Sequence, residues 1–187
     1  MRWRKGGWLI GTTHCPSPNF GVRPDGEVSL IVVHNISLPP DEFTGEWVEK
    51  FFLNQLDPQV HPYFATIADV QVSAHFYVRR DGRTVQFVGC DDRAWHAGQS
   101  AWAGRENCND FSVGIELEGS DTQAYNASQY TALWQLIDVL RRRYPIAAIA
   151  GHCHIAPSRK TDPGPFFDWA AVRRRYPGLI LPLEVAA

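Results

Sequence analysis

Runs of hydrophobic residues along the chain predict the strands of a sheet. Residues 30–33, Leu-Ile-Val-Val, form a continuous apolar run, which is typical of a strand buried on both faces. Residues 72–78 and 84–88 flank Arg80-Asp81-Gly82-Arg83, a sequence that suits the turn of a hairpin. Two further strands are predicted, a clearly alternating one at residues 111–117 and a weaker one at residues 147–150.

The segment between the first two predicted strands contains a short amphipathic stretch. Apolar residues follow helical spacing from Glu46 to Leu56, which predicts a helix with Thr44 as its cap. Residues 57–64 contain two prolines and are predicted to form a loop. Residues 93–109 are rich in tryptophan, glycine and polar residues, so we expect a long functional loop there.

Two more helices are predicted in the second half of the chain. Asn126 and Gln129 resemble a capping box, the apolar positions that follow have helical spacing, and Pro145 stops the helix. A short helix is expected at residues 169–176. Because no repeat or low-complexity linker interrupts the chain, we predict one α/β domain over residues 1–187, a central mixed sheet flanked by helices.

Composition narrows the class of function. The 187 residues are 44% hydrophobic and 20% charged, which is ordinary for a globular protein and allows a sizeable core. The net charge of −2 argues against a broad nucleic-acid-binding surface, which needs a marked basic excess. The chain also lacks a glycine-rich phosphate loop, so a nucleotide-binding α/β protein is not favoured.

Sequence features that report on the cellular compartment point to the cytoplasm. The apolar run Trp8-Leu9-Ile10 follows basic residues but is far too short for a secretory signal. No stretch approaches the roughly 20 apolar residues that a membrane helix needs. The cysteines are scattered, without disulfide-scaffold density, and we expect them to be reduced: Cys15, Cys90, Cys108 and Cys153.

Several potential metal ligands follow predicted strands. His34 ends the first buried strand and His152 follows the last one, whereas Asp162 lies in a loop rich in proline and glycine. A catalytic zinc takes three protein ligands and leaves one position open for water. From the spacing alone the choice stays open, because His154 and Cys153 are also suitable donors and a single histidine is more often structural.

Six short segments carry these polar residues in specific combinations. They read Val33-His34-Asn35-Ile36-Ser37, Ser73-Ala74-His75-Phe76, Ala94-Trp95-His96-Ala97-Gly98, Cys108-Asn109-Asp110-Phe111-Ser112, Gly114-Ile115-Glu116-Leu117-Glu118-Gly119 and Lys160-Thr161-Asp162-Pro163-Gly164. Together they resemble the AmpD-type 1,6-anhydro-N-acetylmuramyl-L-alanine amidases. These enzymes belong to the N-acetylmuramoyl-L-alanine amidase family, which shares its fold with peptidoglycan recognition proteins. The resemblance extends from about Pro16 to Trp169.

The resemblance implies a set of site residues. It assigns one zinc ion per chain to His34, His152 and Asp162, so that His154 becomes a loop residue near the site. It also implies that Glu116 is the catalytic carboxylate and Lys160 the catalytic lysine. Without the resemblance, Glu116 would be interpreted as a solvated residue on the polar face of its strand, and Lys160 as a surface lysine.

Substrate-binding residues are predicted less directly. Asn35, next to a metal ligand, is a candidate to hold a substrate amide, and Tyr63 and Trp95 offer flat faces for a sugar or an alanine methyl group. Each of the three is equally consistent with a core role. Two further candidates are His96, to which we assign no role, and His75, which we expect to be structural or to support the site.

In one respect the chain departs from the family pattern. Some members carry arginines at the positions of Gln71 and Asn107, where they suit the carboxylates of a stem peptide. Neither residue is basic in this chain. Four arginines are possible replacements, and the sequence does not select among them: Arg79, Arg83, Arg93 and Arg105.

The resemblance implies a function in peptidoglycan recycling. We expect a cytoplasmic hydrolase that cuts the lactyl–L-alanine amide bond of soluble anhydro-muropeptides, with Trp95 and Trp102 of the 93–109 loop around the anhydro end group. No nucleic acid, membrane or obligate protein partner is expected. The alternatives are a lytic amidase that acts on polymeric peptidoglycan and, less favoured because the ligand set is complete, a non-catalytic peptidoglycan-binding module.

Overall fold

A computed structural model describes residues 2–182 of the chain. Twelve strands are present in these residues: β1 Trp3–Arg4, β2 Trp8–Leu9, β3 Thr13–His14, β4 Phe20–Val22, β5 Leu30–Ile36, β6 Phe76–Val78, β7 Thr84–Gln86, β8 Asp92–Ala94, β9 Ala101–Trp102, β10 Arg105–Glu106, β11 Ser112–Glu118 and β12 Ala148–Gly151. Five helices accompany them: α1 Trp47–Phe52, α2 Pro62–Ile67, α3 Ala127–Arg143, α4 His152–Ile155 and α5 Trp169–Arg175.

Six of these strands form one mixed sheet in the order β12-β5-β11-β6-β7-β3. Strands β12, β5, β11 and β6 run parallel, whereas β7 is antiparallel to β6 and β3 is parallel to β7. All seven residues of β11 are buried, as expected for a parallel strand covered on both faces. The predicted α/β fold with a central mixed sheet is confirmed.

The two faces of the sheet pack against different parts of the chain. On one face the core contains strand residues and apolar residues of α3 and α5, among them Ile31, Val33, Val113, Ile115, Leu133, Ile137, Leu140 and Val172. The opposite face is covered by the segment 97–111 and by α4, with Leu30, Val32, Ala97, Phe111, Ala150 and Ile155 in contact. This second face also carries the polar residues of the site.

A third cluster closes the β6–β7 side of the sheet. Helices α1 and α2 contribute Phe52 and Phe64, which pack with Tyr77 and Phe87. The side chains of Phe52 and Phe87 meet edge to face, with ring centroids 5.0 Å apart. This cluster fixes the position of α2, whose exposed side borders the site.

The predicted elements differ from the structure mainly before residue 70. The first helix is shorter than predicted, and Thr44 is not its cap, because the helix begins after Glu46 without a side-chain capping bond. The predicted loop 57–64 contains the start of α2, since Pro62 occupies the first helical turn, where its missing N–H costs nothing. Strands β1–β4 were not predicted, and the 93–109 loop contains the short pair β9–β10.

The later elements agree closely with the sequence. The capping contact of α3 is formed, because the Asn126 N–H donates to Gln129 Oε1 at 3.1 Å, and the helix ends before Pro145. No helix within residues 2–182 is both long and apolar enough to cross a membrane. The predicted domain limits, 1–187, also include residue 1 and residues 183–187, which lie outside the described part of the chain.

Candidate metal centre and active site

Two strand ends and one loop bring three potential ligands together. His34 lies near the carboxyl end of β5, and His152 follows β12 directly as the first residue of α4. The register pairs Gly151 with Val33, so the two histidines lie at the same level of the sheet. Asp162 joins them because its carbonyl oxygen accepts a hydrogen bond from the Cys153 N–H at 2.9 Å.

The three ligand atoms form a nearly equilateral triangle. His34 Nδ1 lies 3.0 Å from both His152 Nδ1 and Asp162 Oδ2, and the third side measures 3.1 Å. Two imidazoles and a carboxylate are a common ligand set for catalytic zinc, whose ligands lie about 2.0–2.1 Å from the ion and therefore roughly 3.3 Å apart. The donor set and its spacing therefore fit a zinc ion.

Two of the three ligand candidates are in the protonation state that a cation requires. Burial lowers the pKa of His34 to about 4, with the neighbouring Asp162 acting in the opposite direction, so the ring is neutral at neutral pH. For Asp162, burial raises the pKa, but the close approach of the His152 and His34 rings lowers it by more, so the net shift is downward. The centre therefore contains a partly buried carboxylate beside a neutral imidazole, which suits a divalent cation.

Glu116 lies beside this centre because of the strand register. It pairs with His34 across the parallel strands β11 and β5, and register partners point to the same face of a sheet. Its side chain is buried, and Oε2 has no hydrogen-bond partner within residues 2–182. Burial, with help from the charge of Asp162 and against that of Lys160, raises its pKa well above the usual value. The polar face of β11 is therefore not solvated, and Glu116 is suited to holding a proton.

Eight of the predicted site residues border one cleft of about 500 Å³. This volume is within the usual range for small-molecule sites. The cleft is lined by the three metal-ligand candidates and by the proposed catalytic and substrate-binding residues: His34, Asn35, Tyr63, Trp95, Glu116, His152, Lys160 and Asp162. The sequence prediction thus selected residues that the fold brings together.

The substrate-binding candidates differ in how firmly they are held. Asn35 Nδ2 donates to Asp121 Oδ1 at 2.9 Å, which fixes the amide. Trp95 is held by two hydrogen bonds to Ser73 through its backbone, whereas Tyr63 is 37% exposed on α2. Trp102 does not line the cleft, contrary to the prediction, because it packs against the cluster beneath segment 97–111.

Two further histidines considered from the sequence, His154 and His75, form contacts within the fold outside the metal-ligand triangle. His154 Nδ1 accepts from the Gly151 N–H at 2.9 Å, and its ring packs edge-on against Trp169. His75 is fully buried, and its Nδ1 accepts from the Gly114 N–H at 3.0 Å. Neither histidine belongs to the triangle of ligand atoms.

The four arginines considered as carboxylate-binding replacements do not line the cleft. Each forms an ion pair elsewhere: Arg79 with Glu49, Arg83 with Asp81, Arg93 with Asp110 and Arg105 with Glu27. Gln71 and Asn107 do not line the cleft either. Among the lysines and arginines of residues 2–182, Lys160 alone borders it. Within the described residues, none of these four arginines therefore borders the cleft where it could replace those that some family members carry at the two positions.

Sequence reasoning did not identify the hydrogen-bond partners of the two candidate metal-ligand histidines, His34 and His152. His34 Nε2 lies 2.9 Å from His96 Nδ1, and His152 Nε2 lies 3.1 Å from the carbonyl oxygen of Ala97. His96 was a candidate without a role. The Ala97 contact involves a backbone atom, which no residue type in a sequence reveals.

Comparison with known proteins agrees with this arrangement. The family model described as N-acetylmuramoyl-L-alanine amidase matches residues 23–165. The 1,6-anhydro-N-acetylmuramyl-L-alanine amidase AmpD of Citrobacter freundii is 58% identical over 170 residues, which cover 89% of this chain and 91% of the relative. A crystal structure of a selenomethionine AmpD derivative is similar, with a TM-score of 0.89 and 56% identity over 93% of this chain and 98% of that one.

More distant structures extend the similarity. The Escherichia coli amidase AmiD, in complex with the substrate anhydro-N-acetylmuramic acid-L-Ala-D-γ-Glu-L-Lys, has a TM-score of 0.57 and 31% identity over 79% of this chain and 57% of that one. The peptidoglycan recognition proteins LCa and LCx, at 18% identity and a TM-score of 0.57 over 87% of this chain and 88% of that one, share the fold. The chain belongs to the N-acetylmuramoyl-L-alanine amidase family.

Proposed function

We propose that this chain is a zinc-dependent hydrolase of 1,6-anhydro-N-acetylmuramyl peptides that cuts the amide bond between the lactyl group and L-alanine during peptidoglycan recycling. The observation that carries the proposal is the triangle of His34, His152 and Asp162 with the buried carboxyl group of Glu116 beside it, in one cleft. The similarity to AmpD over most of the chain supports the choice of substrate.

The metal-binding residues are proposed to hold one zinc ion through His34 Nδ1, His152 Nδ1 and an Asp162 carboxylate oxygen. When bound, a zinc ion of this kind lowers the pKa of water to about 7 and polarises a carbonyl group. The chain holds the three donor atoms within 4.8 Å of one another. Two corners of the triangle, His34 and His152, lie at the carboxyl ends of β5 and β12, which are paired in the sheet, and this pairing supports a fixed donor geometry.

Glu116 is proposed to move the proton. Hydrolysis forms a C–O bond from water to the lactyl carbonyl carbon and breaks the C–N bond to alanine. The water proton passes to the Glu116 carboxylate and then to the departing alanine nitrogen, so that the products are a free lactyl carboxyl group and a peptide amine. The unpartnered Oε2 and the raised pKa support this role, because the group must accept and return one proton.

Lys160 is proposed to stabilise negative charge on the carbonyl oxygen as the tetrahedral intermediate forms. It is exposed at the rim of the cleft, and its charge acts on both Glu116 and His34.

Three residues are proposed to contact the substrate. The Asn35 side-chain amide is proposed to form a hydrogen bond with it, and the rings of Tyr63 and Trp95 are proposed to pack on the sugar or the alanine methyl group. Loss of such contacts raises KM, so Tyr63→Ala is expected to raise KM more than it lowers kcat.

The proposed compartment is the cytoplasm, where the substrate is a small soluble muropeptide. All four cysteines are free, and Cys90 and Cys108 are buried without a disulfide partner. Unpaired cysteines of this kind suit a reducing environment. No obligate protein partner is proposed, because every proposed site residue lies in this one chain.

Metal analysis of single variants tests the centre. The purified chain is expected to contain about one zinc per molecule, and His34→Ala and His152→Ala are expected to lose it. His154→Ala is the matched control, because His154 is a half-buried histidine two residues from His152 that does not belong to the triangle of ligand atoms. Loss of zinc from His154→Ala with retention in His152→Ala would contradict the ligand assignment.

A further inference from the structure

A chain of hydrogen bonds leads away from the first metal histidine. His34 Nε2 lies 2.9 Å from His96 Nδ1, His96 Nε2 lies 3.1 Å from Ser112 Oγ, and the Ser112 hydroxyl donates to the Cys108 carbonyl oxygen at 2.6 Å. His34, His96 and Ser112 take part through their side chains, and Cys108 takes part through its backbone carbonyl. All four residues are buried. The chain ends on a backbone carbonyl, which can only accept.

This end point fixes the protons of both imidazoles. The single hydroxyl proton of Ser112 is donated to the Cys108 carbonyl oxygen, so Ser112 Oγ must accept a hydrogen bond from His96. The His96 proton is therefore on Nε2. His96 Nδ1 is then an acceptor, so His34 must donate from Nε2. His34 Nδ1 therefore presents a lone pair towards Asp162 and His152.

The second metal histidine is fixed in the same way. His152 Nε2 lies 3.1 Å from the Ala97 carbonyl oxygen, which accepts only, so the proton is on Nε2 and the Nδ1 lone pair faces the centre. The same carbonyl oxygen accepts from Arg159 Nη2 at 2.9 Å. Two imidazole lone pairs and a carboxylate oxygen thus meet at 3.0–3.1 Å, where they repel one another unless a cation is shared.

Neighbouring segments hold residues 96 and 97 in place. Asn109 Oδ1 accepts from the backbone N–H groups of both His96 and Ala97, at 3.0 and 2.8 Å. The His96 ring lies against Gly114 so closely that a Cβ atom there would be 2.4 Å from its Cγ. These contacts join three of the sequence segments that carry the family resemblance, 94–98, 108–112 and 114–119. Among the residues of these segments, the proposed reaction uses Trp95 and Glu116.

We propose that His96 and the Ala97 carbonyl, held by Asn109, are positioning residues that fix the tautomer and orientation of both metal histidines. They act through His34 and His152 and do not contact the substrate's reacting atoms. The inference rests on the metal centre of the proposed function. Groups that bind the second nitrogen of a metal-ligating histidine commonly change metal affinity 10–100-fold when they are replaced.

The test compares two replacements of His96 by zinc affinity, measured by competition with a chromogenic chelator. His96→Phe keeps a ring but removes the acceptor, and zinc binding is expected to weaken by roughly 10–100-fold. His96→Asn is smaller but carries an acceptor near the position of Nδ1, so its affinity is expected to stay closer to wild type. His154→Phe is the matched control and is expected to bind zinc as wild type does.

The order of the zinc affinities of the two His96 variants decides the outcome. If the His96 ring served only to fill space, His96→Phe would bind zinc more tightly than His96→Asn. Equal zinc affinity in wild type and His96→Phe, or weaker binding by Asn than by Phe, would overturn the proposal while leaving the metal centre intact. A wild-type chain that binds no zinc would overturn the proposed function as well. Circular dichroism of the metal-free proteins checks folding. If His96→Phe does not fold, Ser112→Ala is measured instead, and unchanged affinity there overturns the proposal.

Discussion

The carboxyl group of Glu116 occupies a position where its protonation can change during a reaction. It is 8% exposed, and one of its oxygens has no partner within the described chain. Glu116→Gln keeps the size and the hydrogen-bonding capacity of the side chain but cannot accept the proton. We expect kcat to fall by roughly two to four orders of magnitude at normal zinc content, measured by steady-state kinetics with metal analysis.

Glu118 supplies the control for this change. It lies on the same strand, is also buried, and accepts from the Arg80 N–H at 2.7 Å, but it does not line the cleft. Glutamine retains that acceptor, so Glu118→Gln is expected to keep near wild-type turnover. Similar turnover in zinc-replete Glu116→Gln and Glu118→Gln would return Glu116 to a structural role.

Lys160 gives a second prediction at the scale of one residue. Lys160→Met keeps the aliphatic stem and removes the charge, so kcat is expected to fall by roughly 10²–10³-fold, as for other lost oxyanion donors. Lys50→Met is the matched control, because Lys50 lies 4.6 Å from the Trp47 ring and outside the cleft. An unchanged kcat in Lys160→Met would identify Lys160 as an ordinary surface residue.

At the scale of elements, the parallel strands determine which residues meet. The buried run at residues 30–33 and the alternating run at 111–117 are visible in the sequence because burial on a sheet demands apolar side chains at fixed intervals. Their register, which pairs His34 with Glu116, is set by contacts between distant segments and could not be derived from either run. The choice of His152 over His154 came from the family resemblance, since both fit the local pattern.

The elements that the sequence did not reveal lack a strong local signal. Strands β1–β3 have two residues each, too few to display a period. Helix α2 has six residues and begins at a proline, which in isolation predicts a loop. The hydrogen bonds to His34 and His152, the proposed metal ligands, depend on the backbone of residue 97 and on the packing of the His96 ring against Gly114. These features arise only in the folded chain.

Gly114 connects strand β11 with the segment that covers it. A methyl group there would meet the His96 ring at 2.4 Å, so Gly114→Ala is expected to lower the free energy of unfolding by about 1–3 kcal/mol, measured by urea denaturation. Gly178→Ala is the control, because nothing lies within 4 Å of the corresponding position. Equal stability of the two variants would show that β11 or His96 shifts freely to accommodate the methyl group.

At the scale of the whole molecule, one cleft must accommodate the scissile amide and the groups on both sides of it. Its volume of about 500 Å³ is suited to a muropeptide fragment, and Trp95 and Tyr63 offer apolar surfaces beside the metal centre. We expect a compact anhydro end group to fit such a space, and a continuing glycan strand to extend beyond it and leave polar groups unpaired. Differences of this kind support large ratios of kcat/KM between substrates.

The most direct measurement is mass spectrometry of the products from three substrates: anhydro-muropeptides, the corresponding reducing-end muropeptides and intact sacculi. The purified chain is expected to release stem peptides with a free L-alanine amine from anhydro-muropeptides, with a much higher kcat/KM than from reducing-end muropeptides and little release from sacculi. A chelator should abolish this release and added zinc should restore it. Comparable rates on all three substrates would contradict the recycling function and favour a lytic amidase, and release that persists in chelator would contradict the metal-dependent chemistry.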